Sequence, residues 1–127
     1  FLGKVTSGNI SVFGTNIFGS SIQATSLIMG TGNTTVAGTI NATNIESSAN
    51  SNFTFNGNVT ASNIISYGGI ANFNGSVDLG TNGEMLVIGT NNFANKVTGG
   101  TVTIAGTTTF NSTVNAKTIN GYGEGIF

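Results

Sequence analysis

The chain has 127 residues, three Lys or Arg against four Asp or Glu for a net charge of −1, and no His, Cys, Pro or Trp. Three lysines cannot neutralise a row of phosphates or attract an anionic bilayer, so nucleic acid and charged lipid are excluded as partners. Without His or Cys the common nucleophile–base pairs and transition-metal ligands are missing, so no catalytic residue, cofactor or metal is expected, and no apolar run of ~20 residues is present to insert a helix into a membrane.

Twenty Gly, 19 Asn and 32 Ser or Thr dominate the rest. So polar a chain would be disordered if its apolar residues were sparse and scattered. They are neither: hydrophobic residues make up 38%, chiefly Ile, Val and Phe, and they recur at regular places. The first segment, FLGKVTSGNI, carries apolar Phe1, Leu2 and Val5 and is too short and Gly-rich to begin an assembly helix. A Phe at position 1 points to a mature or excised form of a longer precursor.

From there one motif repeats. VFGTNIFGSSI (12–22), VAGTINATNI (36–45), FNGNVTASNI (55–64), FNGSVDLGTN (73–82), FANKVTGGTV (93–102) and FNSTVNAKTI (110–119) share an order of apolar, small, apolar, small, two polar, apolar. The copies begin at Val12, Val36, Phe55, Phe73, Phe93 and Phe110, spaced 24, 19, 18, 20 and 17 residues apart. Within one copy Phe55, Gly57, Val59 and Ala61 lie two apart and predict one buried strand face, with Asn56, Asn58 and Thr60 turned outward. Ser62–Asn63 break the alternation and predict a corner, after which Ile64 points inward. The predicted core is Val36, Ile40, Ile45, Phe55, Val59, Ile64, Phe73, Val77, Phe93, Val97, Val102, Phe110, Val114 and Ile119.

Between copies lie weaker apolar patches: Leu27–Met29, Ile70, Met85–Ile88 and Val102–Ile104. Each coil therefore has two or three short strands. Helix is not expected, because period-3.6 stripes are missing and Gly, Asn and Thr saturate the chain. A fixed period near 18 residues is the signature of a stacked repeat. At ~3.3 Å per residue such a coil has a perimeter of about 60 Å, and six coils advance about 30 Å. The expected fold is all-β: a single-domain β-solenoid (β-helix) over residues 1–127, of about six coils of roughly 17–24 residues. An intertwined trimeric β-shaft would give the same periodicity.

Segments such as GTTTFNSTVNAKTI (106–119) and FNGNVTASNI (55–64) resemble the β-helical passengers of secreted bacterial adhesins, and equally the shaft repeats of bacteriophage tail fibres. Either resemblance implies a structural, non-enzymatic fibre element outside the cell, at a cell surface or on a virion. It implies self-association as a homopolymer or homotrimer, with surface glycans as the further class of partner.

The remaining polar candidates read as structural. Asp78 and Glu84 flank a Gly80–Gly83 corner and are read as solvated charges rather than as a glycosidase pair or a calcium site, the calcium nonapeptide being absent. Thr101–Val102–Thr103 and Thr107–Thr109 raise ice binding, yet the outward positions Thr39/Asn41, Asn58/Thr60, Ser76/Asp78, Lys96/Thr98 and Thr113/Asn115 are too varied for a lattice. Asn41, Asn58, Asn74 and Asn111 are candidate glycosylation sites in outward Asn-x-Ser/Thr sequons. Solenoid ends expose unpaired strand edges, so Phe1, Leu2, Val5, Ile126 and Phe127 are assigned to assembly, with Lys4 and Glu124 placed to pair across a joint.

Overall fold

A computed structural model describes residues 1–122 and 125–126. Phe127 and Glu124 lie outside the described residues, as does the proposed Lys4–Glu124 pair. Thirteen strands run in order: β1 (Val5–Phe18), β2 (Ile22–Val36), β3 (Ile40–Ser47), β4 (Ser51–Phe55), β5 (Val59–Ser66), β6 (Ile70–Phe73), β7 (Val77–Asp78), β8 (Glu84–Val87), β9 (Thr90–Phe93), β10 (Val97–Ile104), β11 (Thr107–Phe110), β12 (Val114–Gly121) and β13 (Gly125–Ile126). Every pairing between them is parallel. The protein is a β-solenoid of about six stacked coils, one chain enclosing the whole core.

Three sides follow from the register. Side A stacks Val5, Ile22, Ile40, Val59, Val77, Val97 and Val114 in one column. Side B stacks Ile10, Leu27, Ile45, Ile64, Met85, Val102 and Ile119. Side C stacks Phe18, Val36, Phe55, Phe73, Phe93 and Phe110. The three columns meet as one apolar core, in which each fully buried Phe, Ile, Leu or Val contributes about 1.5–3 kcal/mol.

Coil rise explains the aromatic column. Neighbouring coils are ~4.8 Å apart, which is also a comfortable ring–ring spacing. Phe73 and Phe93 stack at 4.6 Å with 7° between planes, Phe93 and Phe110 at 4.8 Å with 12°, and Phe1 and Phe18 at 4.8 Å with 8°. Phe53, also on side C, packs against Phe55 at 4.6 Å and edge-on to Phe73 at 5.4 Å.

Each corner has its own residue chemistry. Between sides A and B the chain bends without leaving its ladder, so Thr43–Asn44 and Ser62–Asn63 are both exposed where alternation would bury one, as predicted for Ser62–Asn63. Between sides B and C, Gly14, Gly32, Gly69 and Gly89 take φ of 77°, 131°, 73° and 94°, the left-handed region that disfavours a side chain. Between sides C and A, Gly38, Gly57 and Gly75 stack so closely that a Cβ on Gly57 would overlap the Gly38 carbonyl, and one on Gly75 the Gly57 carbonyl. Phe55 and Val59 therefore do not share a strand as expected. Gly57 permits a tight bend that sends Phe55 to side C and Val59 to side A.

Two further expectations are corrected. The first copy begins at Phe18, not Val12: Phe18 pairs with Val36 and Val12 with Met29, which replaces the 24-residue gap by 18. Ile119 occupies a core column but is 44% exposed, and Val114 is only half-buried, because no further coil covers sides A and B beyond β12 among the described residues. Ile70 points outward and is exposed, as is Ile28 within its patch. The rest of the predicted core is buried.

Candidate functional site

Two kinds of surface stand out: the outward faces of the three sides and the open edges at the two ends. The outward faces are tied together by side-chain amides running parallel to the solenoid axis. Asn52 Nδ2 donates to Asn33 Oδ1 at 3.2 Å, Asn63 to Asn44 at 3.0 Å, Asn74 to Asn56 at 2.9 Å and Asn92 to Asn72 at 2.9 Å. An amide presents both a donor and an acceptor, so like can bond to like once coil stacking puts the two in register. This gives the abundant Asn a structural use.

Asn52 has two such roles. Its Nδ2 reaches Asn33, while its Oδ1 accepts the backbone N–H of Ile70 at 2.8 Å, next to the left-handed Gly69. Asn52→Ala removes both bonds at an exposed site, and the expected loss is about 1 kcal/mol. It should appear as a lower urea midpoint with an unchanged slope.

The carboxylates are held apart by the register. Asp78 lies on the outer face of side A between Thr60 and Thr98, whereas Glu84 lies at the corner of side B between Asn63 and Thr101. Asp78 Oδ1 accepts the Gly80 N–H at 2.9 Å and so supports the turn that follows. That turn, Leu79 to Gly83, is the longest departure from the strand path: Leu79 drops into the core and the chain loops out before rejoining at β8. Lys117 Nζ, two coils along, donates to Asn82 Oδ1 at 2.9 Å and steadies the loop. No group of three or more His, Cys, Asp or Glu gathers among the described residues.

The candidate glycosylation sites Asn41, Asn58, Asn74 and Asn111 are all exposed. Asn58 and Asn74 are already engaged within the coil stack: Asn58 Oδ1 accepts the Ser76 N–H at 3.0 Å, and Asn74 donates to Asn56. Thr101 and Thr103 are half-buried on side B, beside the half-buried apolar Ile65 and Leu86. They therefore belong to a mixed face and not to a Thr array.

At the ends the polarity of the surface changes. Phe1 is 69% and Leu2 95% exposed; Phe13 and Ile17, also in the first coil, are exposed, as are Ile119 and Tyr122 in the last. Only Ile28, Tyr67 and Ile70 are comparably exposed large apolar residues in the middle of the rod. Phe1 extends the aromatic column by stacking on Phe18, and its ammonium donates to the Ile17 carbonyl at 2.9 Å. Val5 is half-buried at the start of β1. At the far end β13, including Ile126, pairs with β11.

Phe1, Leu2 and Val5 lie in the first coil, while sequence reasoning missed the Asn ladders' register and the outward Phe13 and Ile17. A correct first-copy alignment would have exposed the latter, because Phe13 and Ile17 then fall on outward positions. No protein-family model matches the chain, and no curated protein or solved structure does either.

Proposed function

We propose that this chain is a structural rod segment of an extracellular or surface fibre, carried into assembly by its open β edges. The observation that supports it best is the gathering of exposed large apolar side chains at the first and last coils, where, among the described residues, the outer edges of sides A and B pair with no further strand. Exposed apolar patches and unpaired edges are costly in water and are relieved by another strand-bearing surface. An extracellular or virion setting rests on the near-absence of charge and on the resemblance of the repeats to adhesin passengers and tail-fibre shafts.

Size-exclusion chromatography with light scattering over a range of concentrations tests the reading. The expected result is a mass that rises with concentration, with rods in electron micrographs whose lengths are multiples of about 34 Å, the rungs from Val5 to Val114 at ~4.8 Å each. A monodisperse monomer at all concentrations would remove it.

A further inference from the structure

We infer that the partner at these edges is a second copy of this chain, stacked head to tail so that Val114, Ala116 and Ile119 of one copy cover Val5, Ser7 and Ile10 of the next. The inference rests on the proposed fibre role and adds the occupant, the direction and the register.

The contact between coils already repeats six times from Val5 to Val114 along side A. A joint between copies continues that same interface. On side A it sets Val114 against Val5, in a column otherwise made of Ile and Val. The next inward column runs Ser7, Ala24, Ala42 and Ala61, then Leu79 packed on Gly99, then Ala116, so at its two ends Ala116 meets Ser7, both small. On side B Ile119 meets Ile10, at the two ends of the column that holds Leu27, Ile45, Ile64, Met85 and Val102. The members of that column between the ends are almost wholly buried, whereas Ile119 is 44% exposed and Ile10 half-buried. These are the residues another coil would cover, and none of the inward residues at the joint is charged. On side C the rung over Phe18 is held by Phe1, so seating β13 of the preceding copy there requires Phe1 to leave Phe18.

Direction follows from the ladders. Every pairing in the molecule is parallel, and one face of each coil bonds to the opposite face of the next. Head-to-tail stacking preserves this. A head-to-head joint reverses the strands, setting antiparallel edges together where the described ladders are all parallel. Head-to-tail contacts are heterologous and do not close on themselves, so they propagate into an open filament.

The chain has no cysteine, which gives a clean cross-linking test. Stacked residues in adjacent coils have Cα atoms ~4.8 Å apart, within the disulfide range. Both Ile10 and Ile119 sit in end coils, Ile10 half-buried against the core and Ile119 44% exposed, and Cys keeps a small apolar side chain at each. The double variant Ile10→Cys/Ile119→Cys, mildly oxidised, should give a ladder of covalent multimers on a non-reducing gel, while each single variant stays monomeric. Dimers from either single variant would overturn the direction. A monomeric double variant in a sample whose light scattering still reports rods would overturn the register while leaving the fibre role standing. Scattering that reports only monomer for the unsubstituted chain would remove the fibre role and this inference together.

Discussion

Val77→Asp is expected to leave the chain unfolded, whereas Thr60→Asp, one coil away on the same side, should be mild. Val77 is 1% exposed, with Val59 above and Val97 below. A carboxylate there has no cation and no donor within the apolar column, and an uncompensated buried charge costs on the order of 3–5 kcal/mol or more. Domains of this size are stable by only about 5–15 kcal/mol. The interface is also shared by both neighbouring coils, so the damage is not local to one repeat. Thr60 points outward into water beside Asp78, so the cost is limited to repulsion between two solvated carboxylates, up to about 1 kcal/mol. Val114→Asp separates this register from a general dislike of charge: Val114 belongs to the same column but is half-buried on the last coil, so water reaches it and the effect should be clearly smaller. Far-UV circular dichroism and urea denaturation of the three variants measure the order Val77, then Val114, then Thr60; equal effects at Val77 and Thr60 would show the column to be wrongly assigned.

Gly57→Ala should be the second most damaging change, although it adds only a methyl group. The added Cβ would overlap the Gly38 carbonyl and the Thr39 nitrogen of the neighbouring coil. Both obstacles are backbone, which cannot swing aside like a side chain. Relief requires opening the spacing between coils at that corner, straining ladders on sides A and C together. Overpacking of this kind costs about 1–3 kcal/mol. Gly8→Ala is the control, since a Cβ there meets nothing within 4 Å and its expected effect is neutral or slightly stabilising. Thermal melts of the two variants should differ by several degrees, and equal melting temperatures would mean that the corner is looser than the stack of glycines implies.

The sequence disclosed the repeat because side C places a large aromatic once per coil, and Phe55, Phe73, Phe93 and Phe110 mark the period directly. It misled in the first coil because two Phe–Gly pairs lie five residues apart. Phe13–Gly14 is an outward corner with its ring laid over Gly30, while Phe18–Gly19 is the true start of the motif. The residues after Phe18 fit better, since Ile22, Ala24 and Leu27 repeat the spacing of Val59, Ala61 and Ile64. Burial of polar residues was not legible. Ser47 and Ser66 face inward and bond to each other at 3.1 Å, and Asn91 donates to Thr108 at 3.4 Å; each pair is acceptable inside only because its partner lies one coil away. The exposure of Ile119 was equally hidden, because periodicity assigns a column but does not say where the stack stops covering it. At the candidate site the Gly80–Gly83 corner was legible from its Gly and Asn content. Its tether to Lys117 was not, since the two are 35 residues apart and meet only through the coil stacking.

The parallel ladders have a mechanical consequence. Their hydrogen bonds run along the rod, so a pull on its two ends stretches them directly and does not shear rows of them at once. Such a load opens one coil at a time. Each coil of about 18 residues, once freed, pays out up to about 60 Å of chain where it had spanned ~4.8 Å. A fibre built this way would give under tension in small successive steps, dissipating a sudden load while the remaining coils stay folded.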